Sequence, residues 1–151
     1  VKGEARQPRA LALDVGRRRI GLAATDDAGV MALGLDAVER KTQREDVLRI
    51  ARIAREKKSE VLVVGLPLNM DGSEGAQAAF VRRFAAAVGA AAGLPVEMQD
   101  ERLSSEEAES RLRAKGWSLE KLLKEKKRGA VDRMAAIVIL EDWLRRRSAA
   151  G

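Results

Sequence analysis

Val61-Leu62-Val63-Val64 is a run of four apolar residues, three of them β-branched, with no polar residue among them. A strand with one wet face alternates polar and apolar side chains, so a strand without alternation is covered on both faces. That is the usual state of a strand in a parallel sheet flanked by helices. The neighbouring segments agree. Upstream, Val47, Ile50, Ala51 and Ala54 recur at helical spacing, so residues 43–58 read as an amphipathic helix. Downstream, Phe80, Phe84, Ala87 and Val88 mark a helix over roughly 74–92, ended near Gly93-Leu94-Pro95. Val96 to Gln99 is a further strand. Ser104 with Glu107 resembles a capping box, which starts a helix that stops near Gly116. Residues 118–128, dense in Lys and Glu around Leu119, Leu122 and Leu123, suit a short helix or a loop equally. A last helix runs from Val131 to Arg147, apolar until Arg145-Arg146-Arg147, whose charges complement a helix C-terminus.

Before residue 43 the pattern differs. Ala10 to Val15 and Ile20 to Thr25 are apolar runs joined across Arg17-Arg18-Arg19, which reads as a hairpin tip. Asp26-Asp27-Ala28-Gly29 is a turn signal, and Val30 to Val38 is a third strand. Short turns between strands imply an antiparallel meander. The order βββαβαβα(α)α predicts an α/β fold with a mixed five-stranded sheet: three antiparallel N-terminal strands, then alternating helices and strands, with helices on both faces. Residues 1–8 read as a flexible tail and residues 9–148 as a single domain. The 151 residues suffice for one domain with its own core.

The composition removes whole classes of chemistry. With no cysteine and no histidine, thiol nucleophiles, zinc-thiolate sites and imidazole acid–base catalysis are excluded. Lys and Arg outnumber Asp and Glu by 29 to 23, and most of the basic residues are Arg, which suits bidentate phosphate contacts. A merely soluble surface accounts for the same charge. Few aromatic residues argue against a base-stacking platform. No run is long enough to span a membrane, and Val1 to Pro8 lacks the apolar core of a signal peptide, so no membrane association and a cytoplasmic location are expected.

Three carboxylates stand out. Asp14 closes the first apolar run and precedes Gly16, where a missing side chain lets backbone or phosphate come close. Glu101 follows the strand 96–99 in Asp100-Glu101-Arg102, with Asp100 as a rival. Asp132 opens the last helix on the face of Ala135, Ala136, Ile139 and Trp143, where an unpaired acid is costly. Each has an ordinary explanation: a turn-forming Asp, a solvated charge run, a helix N-cap. Together they could form one cluster that only a cation would neutralise, and oxygen-only donors suit Mg²⁺ or Mn²⁺. The loop Leu66 to Gly75 offers Asn69, Ser73 and free helix amides to a phosphate, or is an ordinary connection capped by Ser73. It lacks the Lys of a P-loop.

Four segments in this order resemble the YqgF/RuvX family, whose members are named as pre-16S rRNA nucleases and Holliday junction resolvases. They are Leu13 to Gly16 with Arg19-Ile20-Gly21, Val63 to Ser73, Asp100 to Ser105, and Gly129 to Asp132 with Ala135-Ala136. The resemblance covers about residues 10–145. It implies a ribonuclease H-like fold and matches Asp14, Glu101 and Asp132 to the family's acidic triad as catalytic and metal-holding residues. Small departures are Gln99 in place of a frequent aromatic residue, Ser104-Ser105 where Thr is common, and an added basic Arg17.

The expected activity is therefore phosphodiester hydrolysis assisted by one or two divalent metals, with Asp14 bridging and Glu101 and Asp132 each anchoring one side. The substrate most directly implied is the 5′ end of pre-16S rRNA, with branched DNA as the alternative. A non-catalytic nucleic-acid or ribosome-binding factor of the same fold is the rival outside enzymes. A sugar kinase or actin-like ATPase shares the Asp-x-Gly opening but needs two such domains. Substrate-binding candidates are Gly16, Arg18, Asn69, Asp71, Arg102 and Lys127, with the segments Arg17 to Arg19 and Lys126 to Arg128 rimming the site. The chain would act as a monomer or homodimer.

Overall fold

The computed structural model describes residues 7–101 and 104–150. The strands are β1 (Ala10–Val15), β2 (Arg19–Thr25), β3 (Ala32–Glu39), β4 (Val61–Leu66) and β5 (Val96–Asp100). The helices are α1 (Gln43–Glu56), α2 (Ala76–Ala92), α3 (Ser104–Ala114), α4 (Leu119–Lys126) and α5 (Ala130–Ala150). The five strands form one sheet in the order β3-β2-β1-β4-β5. β1 pairs antiparallel with β2 and parallel with β4; β2 pairs antiparallel with β3, and β4 parallel with β5. The mixed sheet expected from the sequence is therefore present, with β1 at its centre.

The alternation within β1 sets the two faces. Leu11, Leu13 and Val15 point to one side, where they join Ile20, Leu22, Leu62 and Val64 under Val47, Ile50 and Ala54 of α1 and Val81, Phe84 and Val88 of α2. Ala10 and Ala12 point to the other, where they join Ala23, Val61 and Val63 under Ala136, Ile139, Leu140 and Trp143 of α5. Large side chains on the first face hold two helices. Small ones on the second let α5 lie close across β1, β2 and β3. A smaller cluster of Ala108, Leu112, Leu122, Val131 and Ala135 ties α3 and α4 to the start of α5.

Several boundaries have local causes. The third strand starts at Ala32 rather than Val30, because the Asp26 carboxylate accepts from the amides of Val30 (2.8 Å) and Met31 (3.2 Å) and holds them in the turn. Ser73 does not cap α2; Gly75 does, without a side-chain bond. The undecided stretch 118–128 is helical. Ser118 caps it through Lys121 N, and only Leu122 is buried, which leaves Leu119 and Leu123 exposed. Residues 1–6 of the expected tail lie outside the described residues, while Gln7 accepts a 3.2 Å hydrogen bond from Arg147 Nε. No helix among the described residues is long and apolar enough to cross a membrane.

Candidate functional site

Asp14 occupies the fifth position of β1, so its side chain shares the α5 face with Ala10 and Ala12. Its partner across the antiparallel pair is Gly21. A Cβ on Gly21 would lie 2.5 Å from the carbonyl carbon of Asp132, so the first turn of α5 rests directly on this bare stretch of β2. The β2–β3 register also shifts between Ile20 and Leu22. Such an irregularity bends a strand and commonly sits beside a functional site. On the other side of β1, Gly65 of β4 shares the α5 face with Val61 and Val63. A Cβ there would stand 2.6 Å from Cδ and 2.7 Å from Oε2 of Glu101. The Glu101 carboxyl thus fills the space that a side chain at position 65 would take. Two glycines inside strands, Gly21 and Gly65, make room on either side of Asp14 for the other two acids.

The structure therefore places Asp14, Glu101 and Asp132 on one face, at the carboxyl ends of the parallel strands, where ligands bind in open α/β sheets. Asp14 and Glu101 stand within hydrogen-bonding reach of each other. A hydrogen bond between two carboxyl groups needs a proton between them, so at most one of the pair would be ionised while it forms. Burial raises Asp14 from an ordinary 3.8 to about 6; the bond from Glu101 opposes that rise, and the nearby charge of Asp132 adds to it. Burial also raises Asp132, while Arg19 and Lys126 pull it down. Among the described residues no three acids close into a ready metal cage. Asp100, the rival to Glu101, alternates onto the opposite face with Val96 and Met98.

The donor set fits a hard divalent cation. It consists of carboxylate oxygens without sulfur or imidazole, on glycine-cleared ground, with a buried acid whose ionisation a cation would favour.

Beside Asp132 opens a cavity of about 230 Å³, lined by Gly16, Arg17 to Arg19, Glu109, Lys126 and Val131. Gly16 fits here because a Cβ would stand 2.8 Å from the Arg19 carbonyl oxygen, and it would face Asp132 Oδ1 at 3.6 Å. Arg18 lines the same cavity from the exposed tip. Lys127 is exposed at the C-cap of α4 and does not line it; Lys126 does, paired at 3.3 Å with Glu109 Oε1. Asn69 and Asp71 close their own turn. Asn69 Nδ2 donates to Ser73 Oγ (2.9 Å), and Ser73 donates through N (2.9 Å) and Oγ (2.6 Å) to Asp71 Oδ1. Arg102 lies outside the described residues. The sequence reading gave no separate role to Gly21, Gly65, Arg19 or Lys126. A glycine inside an otherwise apolar strand is the signal that points to the first two.

The chain is similar to several known proteins. The family model described as "RuvX: Holliday junction resolvase" matches residues 8–146. A relative from Anaeromyxobacter dehalogenans (strain 2CP-1), named "Putative pre-16S rRNA nuclease", is 51% identical over 93% of this chain and 98% of its own length. One of the same name from Synechococcus elongatus is 47% identical over 89% of this chain and 87% of its own. The solved structure of Thermus thermophilus RuvC with a Holliday junction substrate superposes with a TM-score of 0.58 over 96% of this chain and 98% of that one, at 16% identity. At that identity the likeness establishes the fold.

Proposed function

This chain belongs to the RuvX family, and we propose that it is a divalent-metal-dependent nuclease acting in maturation of the 5′ end of pre-16S rRNA. The observation that carries the reading is the Glu101 carboxyl seated over Gly65 beside Asp14, with Asp132 on the same face across Gly21. Asp14, Glu101 and Asp132 would hold the metal, Mg²⁺ or Mn²⁺. When bound, the metal supplies Lewis acidity at the phosphodiester and favours deprotonation of water at neutral pH. The chain's own residues do the rest. Asp14 and Glu101 would hold the cation through their carboxylate oxygens, and a cation beside them would favour the ionised form of the buried Asp14. Asp132, half-buried and flanked by Arg19 and Lys126, stays ionised more readily than its burial alone permits. Arg18, Arg19 and Lys126 hold backbone phosphates without reading sequence, with Arg102 beside Glu101 and Lys127 beside Lys126 as further candidates. Asn69 and Asp71 shape the loop at the end of β4.

The substrate follows the names of the relatives, which specify pre-16S rRNA. A nuclease of that precursor acts where the precursor is made, so the reading places the chain in the cytoplasm, with residues 9–148 as its catalytic domain. Branched DNA is the second reading, favoured by the description of the matching family model. Cleavage of a precursor rRNA fragment and of a four-way DNA junction, side by side with Mg²⁺ or Mn²⁺, separates the two. Metal-dependent cutting of the precursor is the expected result. Cutting of the junction alone transfers the activity to DNA, and cutting of neither leaves a binding factor.

A further inference from the structure

A second cavity, of about 380 Å³, opens on the other side of the hairpin tip, lined by Arg17, Arg18, Arg19, Glu39 and Arg40. It shares the three tip arginines with the cavity at Asp132, but its remaining walls belong to the end of β3 and the approach to α1. Arg17 and Arg18 are exposed and make no side-chain hydrogen bond or ion pair with described residues. Arg40 is different. Its side chain is only 21% exposed. Its guanidinium lies 4.8 Å above the Phe80 ring, Nη1 donates to Gly16 O at 3.1 Å, and its backbone N donates to Arg18 O at 2.8 Å. Behind it stands Asp46, fully buried, with Oδ1 accepting from Lys41 N at 2.9 Å. Asp46 Oδ2 has no hydrogen-bond partner and is 3.9 Å from Arg40 Nε. Arg40 is thus held by an aromatic face and a buried carboxylate, with only part of its five-donor fork in use. An arginine fixed in this way loses little freedom when it grips an anion.

We propose that this second cavity binds a backbone phosphate of the same nucleic-acid strand whose scissile phosphate lies at the acids, with Arg40 as its fixed floor. The proposal rests on the nuclease reading above and adds a path: the strand crosses the hairpin tip, with Arg17 to Arg19 gripping it from both cavities. The ligand chemistry is a phosphodiester, common to RNA and DNA. Glu39 on the wall opposes such an anion, which gives the test two signs.

The test is equilibrium binding of the full chain, in EDTA, to a trinucleotide and a decamer, each as RNA and as DNA of one sequence, across salt. Arg40→Gln should weaken decamer binding by about tenfold, the scale of one lost charged contact, and leave the trinucleotide nearly unaffected. Its salt slope should flatten by about 0.7, the share of one phosphate on a single strand. Glu39→Gln should tighten decamer binding about two- to threefold by removing a repulsive exposed charge. Glu39 contributes only its backbone carbonyl to Arg49, at 3.3 Å, so this variant keeps the hydrogen bonds around it. Should Arg40→Gln fail to fold, Glu39→Gln still decides. Unchanged or weaker decamer binding by Glu39→Gln overturns the proposal. So does equal loss at both lengths for a folded Arg40→Gln, or a loss confined to RNA, which signals recognition of the 2′-hydroxyl. Cleavage by the parent chain in Mg²⁺ is read separately, so the subsite and the nuclease activity can fail independently.

Discussion

Replacing Asp14 by asparagine should make the metal-free protein more stable while removing its proposed activity. Asp14 is 9% exposed, and its carboxyl is raised from 3.8 to about 6, mainly by burial. A raised acid favours the protonated folded state, so stability from this group is greatest below the unfolded value and is lost as pH rises through about 6. Each pKa unit is about 1.4 kcal/mol, so ionised Asp14 costs the fold roughly 3 kcal/mol at neutral pH. Asparagine keeps the shape, carries no charge, and its amide can still donate to Glu101. For a chain of this length each kcal/mol moves Tm by about 2–4 °C, so Asp14→Asn should melt about 6–12 °C higher than the parent at pH 7.5 in EDTA. The gap should close towards pH 4, where the cost falls to about 0.5 kcal/mol. Thermal melts of both proteins at the two pH values check this. Equal melting at pH 7.5, or a gap that widens in acid, would refute the claim that Asp14 is held at an electrostatic cost.

Gly65→Ala should push the Glu101 carboxyl out of the space it occupies, slowing cleavage at least tenfold and destabilising the fold by about 1–3 kcal/mol, as read by turnover and urea unfolding. Lys126→Gln should lower nucleic-acid affinity and flatten its salt dependence by about one phosphate contact, whereas Lys127→Gln, outside the cavity, should change both less; filter-binding across salt compares them. Phe84→Ala should cost about 3–5 kcal/mol in unfolding titrations, because the ring is fully buried between α2 and the sheet, and should leave the metal response of the folded fraction in place.

The sheet was readable because its strands differ in pattern. Val61 to Val64 lacks alternation since both faces are covered, and β1 alternates Ala with Leu since its faces hold different helices. Helix α4 was not decided because one leucine of three is buried, so its periodicity carries little signal. The acids were nominated from their positions at strand ends and a helix start. Their meeting was not derivable from those positions alone, because it depends on strand order and on two glycines. Gly21 and Gly65 look like weak strand residues until Asp132 and Glu101 are seen to occupy the space above them. Adjacency in sequence also misplaced part of the basic rim. Lys126 and Lys127 are neighbours in the chain, but the last turn of α4 directs only Lys126 into the cavity.

The most direct test of the account is the metal dependence of turnover on a precursor rRNA fragment by the purified parent chain and by Asp14→Asn, Glu101→Gln and Asp132→Asn. The account predicts cleavage in Mg²⁺ or Mn²⁺, none in EDTA, and a loss of about a hundredfold or more in each folded variant, the scale of a few kcal/mol of lost transition-state stabilisation. Cleavage that persists in EDTA, or full turnover in any one of the three variants, would contradict it.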